Sequence, residues 1–374
     1  MIIGIDARCL EWQRGGVARF LVKYIELAPK QNPDDLFILY FQEKIPADNF
    51  LNQKNIKCKI IKGPKFLKKK RIICEQILLP FSVWEESIDC FFSPWYTAPL
   101  AIFYKKIIVA AWDISFITHP NHYTFSNRIS LGLFGKLTYK FSNALITCSE
   151  FDAEQILKFT NTRPENLYTF NFPAEDKFDL EVSDSLMTQT LNKLNIKKPY
   201  ILSLGVIYNR RNLPTLLHAF KNISKKFTEF NLVIVGKNAT SPKIDFQNLI
   251  EKLNLEDKTV QINYLDENDL LAVYKGAFLY YCTSDVDGEA ILVKEALRAG
   301  VPVVSSLLLE KTIKGYGSFI TVPDSVEEVE NILNAVLNNP EELRIKTEQG
   351  KNWIRTINWE DEIYRTSKFI KSKI

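Results

Sequence analysis

The sequence has few residues of the kinds that build metal centres, disulfide frameworks or membrane spans. Its 374 residues include three histidines and six cysteines, and no two cysteines are spaced as CxxC. Because zinc sites need paired cysteines or clustered histidines, a metal centre is not expected. No apolar run approaches the roughly 18 residues of a membrane-spanning helix. These absences favour a globular protein with reduced, mostly buried thiols.

An excess of charge of one sign is also missing. The chain carries 48 basic and 44 acidic residues, a formal charge of +4. This balance gives no reason to expect nucleic acid as a partner, although it leaves room for a local basic patch. The first residues, M-I-I-G-I-D, lack the basic leader and apolar core of a signal peptide. The sequence therefore predicts a cytoplasmic protein.

Short apolar runs alternate with longer amphipathic stretches, which is typical of parallel α/β structure. The runs are rich in β-branched and aromatic residues, as expected for strands buried on both faces. Six runs lie in the first half, at residues 2–5, 36–41, 56–61, 90–92, 107–111 and 144–148. Six lie in the second half, at 200–204, 232–235, 260–262, 278–282, 301–304 and 319–322. Two such sets predict two doubly wound, Rossmann-like sheets.

A polar segment without a strand signal separates the two sets and ends near Pro199. We therefore expect an N-terminal domain at residues 1–180 and a C-terminal domain at residues 181–356. Residues 357–374 should form a final helix, because the apolar residues of this segment fall on one side of a helix.

Open α/β sheets bind ligands where their strands end, and glycines mark one such position. The pair Gly15-Gly16 follows the first predicted strand and opens a helix, where exposed N–H groups admit a phosphate. The alternative is that the pair forms a flexible turn. The pattern is not G-x-G-x-x-G, which disfavours a dinucleotide-dependent oxidoreductase.

A pair of arginines follows the first strand of the second half. Arg210 and Arg211 come after Gly205 and directly before a predicted helix. Two guanidinium groups at that position could clamp a diphosphate, with charge-assisted hydrogen bonds of roughly 1.5–3 kcal/mol each. The alternative is a solvated basic pair, but the position after a buried strand favours binding.

Carboxylates stand beside a third strand end. The strand at 278–282 runs into an acidic loop that contains Asp287 and Gly288, and the following helix contains Glu295. The N-terminus of a helix attracts a diphosphate through its N–H groups and its dipole. A carboxylate beside it accepts hydrogen bonds from ribose and sugar hydroxyls.

This third segment resembles a motif of the retaining glycosyltransferases of family 4, which have the GT-B fold. The family pattern is E-G-F-G-L-P-x-x-E-A followed by G-V-P-V, and this chain has D-G-E-A-I-L-V-K-E-A at 287–296 and G-V-P-V-V at 300–304. Other segments that resemble the family are G-I-D-A-R at 4–8, G-G-V-A-R-F at 15–20, W-D-I-S-F-x-x-H-P at 112–120, S-E-F at 149–151, G-x-x-x-x-R-R-N at 205–212 and W-E at 359–360.

The resemblance covers nearly the whole chain and implies an architecture and a set of site residues. It implies two Rossmann-like domains with an interdomain cleft, and a final helix that crosses back to the N-terminal domain. The implied catalytic residues are Asp287, Glu295, Arg211 and Asp113. The implied donor-binding residues are Gly15, Gly16, Gly205, Arg210, Arg211, Leu265, Asp287, Gly288, Glu289, Ala290, Ile291, Leu292 and Glu295. The residues expected to bind the acceptor are Trp95, Tyr96, Trp112, Asp113 and His119.

The implied chemistry needs no metal and no cofactor besides the nucleoside diphosphate sugar that is the substrate. The two arginines and the helix dipole would neutralise the leaving diphosphate, while Glu295 holds the ribose and Asp287 the sugar hydroxyls. Trp112 stands where the family has a histidine that approaches the sugar and the acceptor. Either this tryptophan stacks on a sugar ring, or the site has lost catalytic efficiency.

One basic segment bears on the acceptor. Residues 62–71 carry six positive charges beside Phe66 and Leu67. Such a segment can rest on an anionic membrane surface. The alternative is a solvated loop that leads into a helix.

The function implied by the resemblance is hexose transfer, with retention, to a glycan or lipid-linked acceptor in lipopolysaccharide or capsule biosynthesis. The enzyme would work in the cytoplasm or at the inner face of the cell membrane. Two alternatives remain open. The chain could be a catalytically weak homologue that serves as a partner in a glycan-assembly complex, or another GT-B enzyme such as a sugar-nucleotide epimerase.

Overall fold

The computed structural model describes residues 1–11, 16–112, 114–118, 131–284, 290–313, 315–322 and 324–374. The chain forms two compact units. The first consists of Met1–Phe172 with Trp359–Ile374, and the second of Pro173–Asn358. The second unit thus begins earlier than the residue 181 predicted from the sequence. The reason lies in packing, because Ala174 and Phe178 belong to its hydrophobic core.

The first unit contains a parallel sheet of seven strands among the described residues, in the order β3-β2-β1-β4-β5-β6-β7. The strands are β1 (Ile2–Asp6), β2 (Leu36–Phe41), β3 (Ile56–Ile60), β4 (Cys90–Ser93), β5 (Lys106–Ala110), β6 (Ala144–Thr147) and β7 (Leu167–Thr169).

The second unit contains a parallel sheet of six described strands, in the order β10-β9-β8-β11-β12-β13. The strands are β8 (Tyr200–Leu204), β9 (Asn231–Val235), β10 (Thr259–Ile262), β11 (Leu279–Cys282), β12 (Val303–Ser306) and β13 (Ser318–Thr321).

All twelve predicted runs overlap observed strands, so the prediction of two doubly wound parallel sheets is confirmed. The sequence analysis missed β7. This strand has three residues, all half-buried, and lies at the edge of its sheet. It therefore lacks the continuous apolar run that marks a strand covered on both faces.

Helices connect the strands. Those of the first unit are Gly16–Gln31, Lys65–Lys68, Arg71–Ile73, Leu79–Trp84, Ser115–Thr118, Lys136–Phe141, Glu150–Phe159 and Trp359–Lys371, with π-helical turns at Cys74–Leu78 and Leu131–Gly135. Those of the second unit are Asp184–Lys193, Leu213–Lys226, Phe246–Lys252, Glu267–Gly276, Ile291–Arg298, Leu307–Thr312, Val326–Asn338 and Pro340–Arg355. No helix in the described ranges is both long and apolar enough to cross a membrane.

Successive residues of the strands in the second unit pack into separate cores on the two faces of the sheet. Leu202 lies in one hydrophobic cluster with Val293 and Leu297, and Ile201 lies in the other with Leu216 and Leu217. Burial on both faces explains why these strands are continuous apolar runs rather than alternating ones.

The final helix, Trp359–Lys371, packs within the first unit. The Trp359 ring lies 5.9 Å from the Phe170 ring, measured between centroids. The hydroxyl of Tyr168 donates a 3.2 Å hydrogen bond to the Glu362 carboxylate. These contacts hold the helix against the end of the first sheet's edge strand.

The strand order reverses at one point in each sheet, between β1 and β4 and between β8 and β11. Ligands of doubly wound sheets bind in the crevice outside the carboxyl ends of the strands at such switch points. A ligand site is therefore expected in the segments that follow Asp6, Ser93, Leu204 and Cys282.

Candidate functional site

The carboxyl end of β8 carries a glycine that nothing larger can replace. Gly205 has φ +123°, a conformation that residues with a side chain rarely adopt. A Cβ added there would lie 2.6 Å from Leu292 Cδ1 and 2.8 Å from Arg211 Nη2. Glycine thus allows Leu292 and Arg211 to approach the backbone beyond β8 from two different helical segments.

The carbonyl oxygen of Leu204 fixes Arg211 at this edge. Arg211 Nη1 donates to it over 3.0 Å, and the Tyr280 hydroxyl donates to it over 3.1 Å. Arg211 Nη1 also lies 3.6 Å from Cys282 Sγ. Burial raises the pKa of Tyr280 well above its ordinary value, so the phenol remains a neutral donor. The guanidinium is therefore anchored at the switch point between β8 and β11.

Arg210 is oriented differently from its neighbour. Its guanidinium carbon lies 4.3 Å from the centroid of the Tyr208 ring, a cation–π contact. Its Nε atom is buried and has no hydrogen-bond partner among the residues that the structure describes. Arg210 is thus held by the Tyr208 ring, whereas Arg211 is held by the Leu204 carbonyl oxygen.

Glu295 is held inside the core beside the same edge. Its side chain belongs to the helix Ile291–Arg298, and the residue is only 3% exposed. The hydroxyl of Tyr274 donates to Glu295 Oε2 over 3.2 Å and lies 3.3 Å from the Leu292 carbonyl oxygen. Burial and, after it, the Glu295 charge raise the pKa of Tyr274 well above its ordinary value. The tyrosine thus stays protonated and donates to the carboxylate.

The helix Ile291–Arg298 begins without a polar side-chain cap. Its N-cap residue is Ala290, which has φ +47° and ψ +31°, in the left-handed region. The first turn holds no acidic residue, so no carboxylate of this turn neutralises the positive end of the helix dipole. Lys294, in the second turn, is fully buried. Such an N-terminus can receive an anion through its backbone N–H groups.

Several residues predicted to bind the donor thus come together at the switch point of the second sheet. Gly205 lies against both Arg211 and Leu292, and Tyr274 links Leu292 to Glu295. The other described donor residues of this unit are Arg210, Ala290, Ile291 and Leu265, which follows β10 and packs half-buried against the core. Six predicted residues lie outside the described residues, namely Gly15, Asp113, His119, Asp287, Gly288 and Glu289.

Two tyrosines of this site were not predicted. Tyr274 and Tyr280 are completely buried. In the sequence they cannot be distinguished from other aromatic residues of the core. The only signal that could have found them is their chemistry, since a buried phenol must find an acceptor. Here the acceptors are Glu295 and the Leu204 carbonyl.

The switch point of the first sheet contains a buried ion pair. Arg8 donates to Asp6 over 2.8 and 2.6 Å and to Glu75 over 2.9 Å. Burial alone would lower the pKa of the Arg8 guanidinium, but the Asp6 and Glu75 carboxylates outweigh it and raise that pKa. This network fixes the backbone directly beyond β1, and the next α-helix of the chain begins at Gly16.

A small pocket opens beside this network. Its lining includes Arg8, Arg71 and Trp95, and the Arg71 guanidinium carbon lies 4.9 Å from the centroid of the Trp95 ring. Tyr96 packs edge-on against Trp95 at 5.9 Å. Trp95 and Tyr96, two of the five residues predicted to bind the acceptor, are therefore half-buried at the carboxyl end of β4.

Trp112 differs from its expected role. The residue is 2% exposed, and its ring lies 4.8 Å from Phe20 and 5.2 Å from Phe172. Its Nε1 donates to the Pro94 carbonyl oxygen over 2.9 Å. The expectation that this ring stacks on a sugar is wrong for this conformation, because core side chains and a backbone carbonyl already occupy it.

Part of the chain is similar to a known protein family. Residues 188–353 match the family described as glycosyl transferases group 1. This segment contains Gly205, Arg210, Arg211, Tyr274 and Glu295. The match confirms the resemblance to group 1 glycosyltransferases that the sequence motifs indicate.

Two curated proteins illustrate the similarity. An uncharacterized glycosyltransferase of Haemophilus influenzae is 26% identical over 207 residues, and this alignment spans 53% of the chain and 54% of that protein. The O-antigen chain mannosyltransferase B of Escherichia coli is 20% identical over 260 residues, which cover 69% of the chain and 68% of that protein. The chain thus spans about half to two thirds of the length of these relatives.

A solved structure gives the fold. The Anabaena protein HepE in complex with UDP and glucose superposes with a TM-score of 0.71 at 14% identity, over 99% of each chain. At this identity the likeness concerns the fold, and it confirms the predicted GT-B class with two Rossmann-like units.

Proposed function

We propose that the chain is a glycosyltransferase that moves a hexose from a nucleoside diphosphate sugar to a glycan or lipid-linked acceptor. The observation that carries this proposal is the arrangement of Arg211 and Glu295 around Gly205 and Leu292, at the switch point of the second sheet. A guanidinium matches the oxygens of a diphosphate, and a buried carboxylate matches the hydroxyls of a ribose.

The same residues account for the chemistry of transfer. The bond between the sugar C1 and the diphosphate oxygen breaks, and the acceptor oxygen forms the new bond to C1 while its proton passes to the departing diphosphate. Arg210, Arg211 and the N-terminus of Ile291–Arg298 neutralise the charge that the diphosphate gains, so the reaction needs no metal. Attack from the face of the leaving group retains the anomeric configuration, and the rest of the rate comes from positioning.

The relatives support a biosynthetic setting. One of them is named for O-antigen chain assembly, and the solved HepE structure contains UDP and glucose. The proposed donor is accordingly a nucleoside diphosphate hexose, and the proposed product is a lipopolysaccharide or capsule glycan. Such a reaction takes place in the cytoplasm, at the inner face of the cell membrane.

A donor panel tests the proposal. We expect one member of a set of UDP-, GDP- and dTDP-hexoses to raise the melting temperature, because a ligand of the native state stabilises it by mass action. That donor should then be turned over with an acceptor, with the product anomer assigned by NMR. Glu295→Gln should abolish the thermal shift. A folded protein that responds to no sugar nucleotide would refute the proposal.

A catalytically weak partner protein is the second candidate, and the burial of Trp112 favours it. The family that the sequence resembles has a histidine near the sugar at this position, whereas the Trp112 N–H already donates to the Pro94 carbonyl oxygen. Hydrolysis of the matched donor separates the two candidates. We expect an enzyme to hydrolyse its donor slowly when no acceptor is present, and a partner protein to bind the donor without consuming it.

A further inference from the structure

A helical run in the first unit presents large apolar side chains to solvent. It comprises Lys65–Lys68, Arg71–Ile73, Cys74–Leu78 and Leu79–Trp84. Between positions 72 and 84 every exposed side chain is apolar. These side chains are Ile72, Ile77, Phe81 and Trp84, which are 41–56% exposed, and we name them the apolar stripe.

The opposite side of the run is firmly packed. Cys74, Leu78, Leu79 and Val83 are buried in the hydrophobic cluster that covers one face of the first sheet. The stripe positions 77, 81 and 84 follow the spacing of four and three that places side chains on one face of a helix. The Phe81 and Trp84 rings lie 4.9 Å apart. The stripe is therefore the outward face of an ordered helix, and its exposure does not come from fraying.

The apolar surface extends beyond the helix. The turn Leu100–Ile102 contacts Leu79–Trp84, and the two residues after it, Phe103 and Tyr104, are 67% and 57% exposed. Contiguous exposed apolar side chains are rare on a freely soluble monomer and mark surfaces that bind a membrane or another protein.

Basic side chains border the stripe at its N-terminal end. Residues 57–86 contain eight lysines or arginines against three glutamates, although the whole chain has a net charge of only +4. Glu75 is buried against Arg8, and Glu85 and Glu86 form ion pairs with lysines of the same surface. Of the exposed basic residues, Lys57 and Lys62 pair with these glutamates, and we name the other four, Lys65, Lys69, Lys70 and Arg71, the basic rim. Phe66, between them, is 70% exposed.

We infer that the apolar stripe and the basic rim dock the first unit on an anionic lipid bilayer. Phenylalanine and tryptophan side chains insert at the depth of the headgroups, while lysines and arginines attract acidic headgroups. The combination on one helix is the chemistry of a peripheral, surface-lying membrane anchor. The positive charge of the basic rim favours an anionic lipid surface as the partner that covers the apolar stripe. The inference does not depend on the proposed transfer reaction.

Vesicle co-sedimentation of the full chain tests this inference directly. We expect binding to vesicles of phosphatidylcholine mixed with phosphatidylglycerol, weak binding to phosphatidylcholine alone, and a loss of binding as salt is raised. Phe81→Ser with Trp84→Ser should reduce partitioning at least tenfold. Lys69→Glu with Lys70→Glu should reduce it by about tenfold or more, since each basic residue near the surface contributes about a fivefold factor.

Matched controls lie in the second unit. Leu186→Ser with Ile345→Ser removes side chains that are 50% and 44% exposed, and Lys243→Glu with Lys252→Glu reverses two exposed charges. Both controls should bind vesicles like the wild type. Failure of the wild-type protein to bind anionic vesicles would overturn the inference. The inference would also be overturned if the wild type does not bind vesicles but dimerises with increasing concentration in sedimentation velocity, and if the variant with Phe81→Ser and Trp84→Ser does not dimerise.

Discussion

The hydroxyl of Tyr274 donates a hydrogen bond to the carboxylate of Glu295 over 3.2 Å and so joins the helices Glu267–Gly276 and Ile291–Arg298. The carboxylate is 3% exposed and the tyrosine completely buried. A buried carboxylate needs hydrogen-bond donors to stay ionised, and a fixed donor also fixes its direction. Tyr274 therefore acts as a positioning residue for Glu295 in the proposed site.

Tyr274→Phe should weaken the binding of a nucleoside diphosphate about tenfold, because one hydrogen bond to a charged group contributes roughly 1.5–3 kcal/mol. Calorimetry with the nucleoside diphosphate and with inorganic pyrophosphate measures the effect. Pyrophosphate affinity should not change, since it has no ribose for Glu295 to hold.

The matched control is Tyr200→Phe, which removes an equally buried hydroxyl bonded to the Val273 carbonyl at 2.7 Å, in the first residue of β8. It should lower stability without changing either affinity. Equal losses for both ligands in Tyr274→Phe would contradict the positioning role.

Arg210 and Arg211 are predicted to hold the donor diphosphate. Replacing both by alanine should weaken nucleoside diphosphate binding by several kcal/mol, since two charge-assisted contacts are lost. The loss should be much smaller for the free nucleoside, which lacks phosphates. Lys225→Ala with Lys226→Ala, an adjacent basic pair at the far end of Leu213–Lys226, is the control. Unchanged affinity in a folded Arg210→Ala, Arg211→Ala protein would reject the assignment.

Ala290 is predicted to carry backbone strain. An L-residue in the left-handed region costs roughly 1–2 kcal/mol relative to its relaxed conformation, and Ala290 has φ +47°. Ala290→Gly should therefore raise the free energy of unfolding by about 1 kcal/mol, or the melting temperature by about 2–4 °C. Ala296→Gly, within the same helix, should lower stability instead. Thermal denaturation that ranks the two variants in the opposite order would count against the strain.

Asp179 is predicted to make the free energy of unfolding depend on pH in the acidic range. It accepts from Arg298 Nε over 2.8 Å and from Arg355 Nε over 2.9 Å, and so ties the C-terminal end of Ile291–Arg298 to the start of the second unit. Burial alone would raise the pKa of Asp179, but the hydrogen bonds from Arg355 and Arg298 outweigh it and lower that pKa.

A carboxyl whose pKa is lower in the folded state stabilises the protein above its unfolded pKa of about 3.9, and this contribution is lost as the pH falls through the folded value. Asp179→Asn should therefore cost roughly 1–3 kcal/mol at neutral pH. The difference from wild type should shrink below about pH 4. Urea denaturation across this range measures it, and Asp257→Asn, at an exposed position, should show no such trend. A difference that is constant with pH would exclude the ion pairs as its cause.

The fold could be predicted because the sheets are parallel and covered on both faces, so each strand leaves a continuous apolar run such as Tyr200–Leu204. The positions of Gly205, Arg210 and Arg211 could be predicted for the same reason, since these residues come after such a run, at the carboxyl ends of the strands. Tyr274 could not, because it lies 21 positions from Glu295 and a buried phenol resembles any other core aromatic. The burial of Trp112 could not be predicted either, since the sequence does not show which way a ring points.

The role of Trp112 distinguishes an enzyme from a partner protein. Trp112→Ala should cost about 3–5 kcal/mol of stability, because a ring that is 2% exposed leaves a cavity among Phe20 and Phe172. Trp112→Phe keeps most of the packing but leaves the Pro94 carbonyl without this donor, and should cost about 1–2 kcal/mol. The proposal that Trp112 is a packing residue then requires Trp112→Phe to keep its turnover with the matched donor and acceptor, measured per folded molecule. Loss of turnover per folded molecule in Trp112→Phe would contradict the packing role and would show that the indole N–H takes part in the reaction. A wild type without turnover that gains it on Trp112→His would instead favour the partner protein, because the missing imidazole would then be what the site lacks.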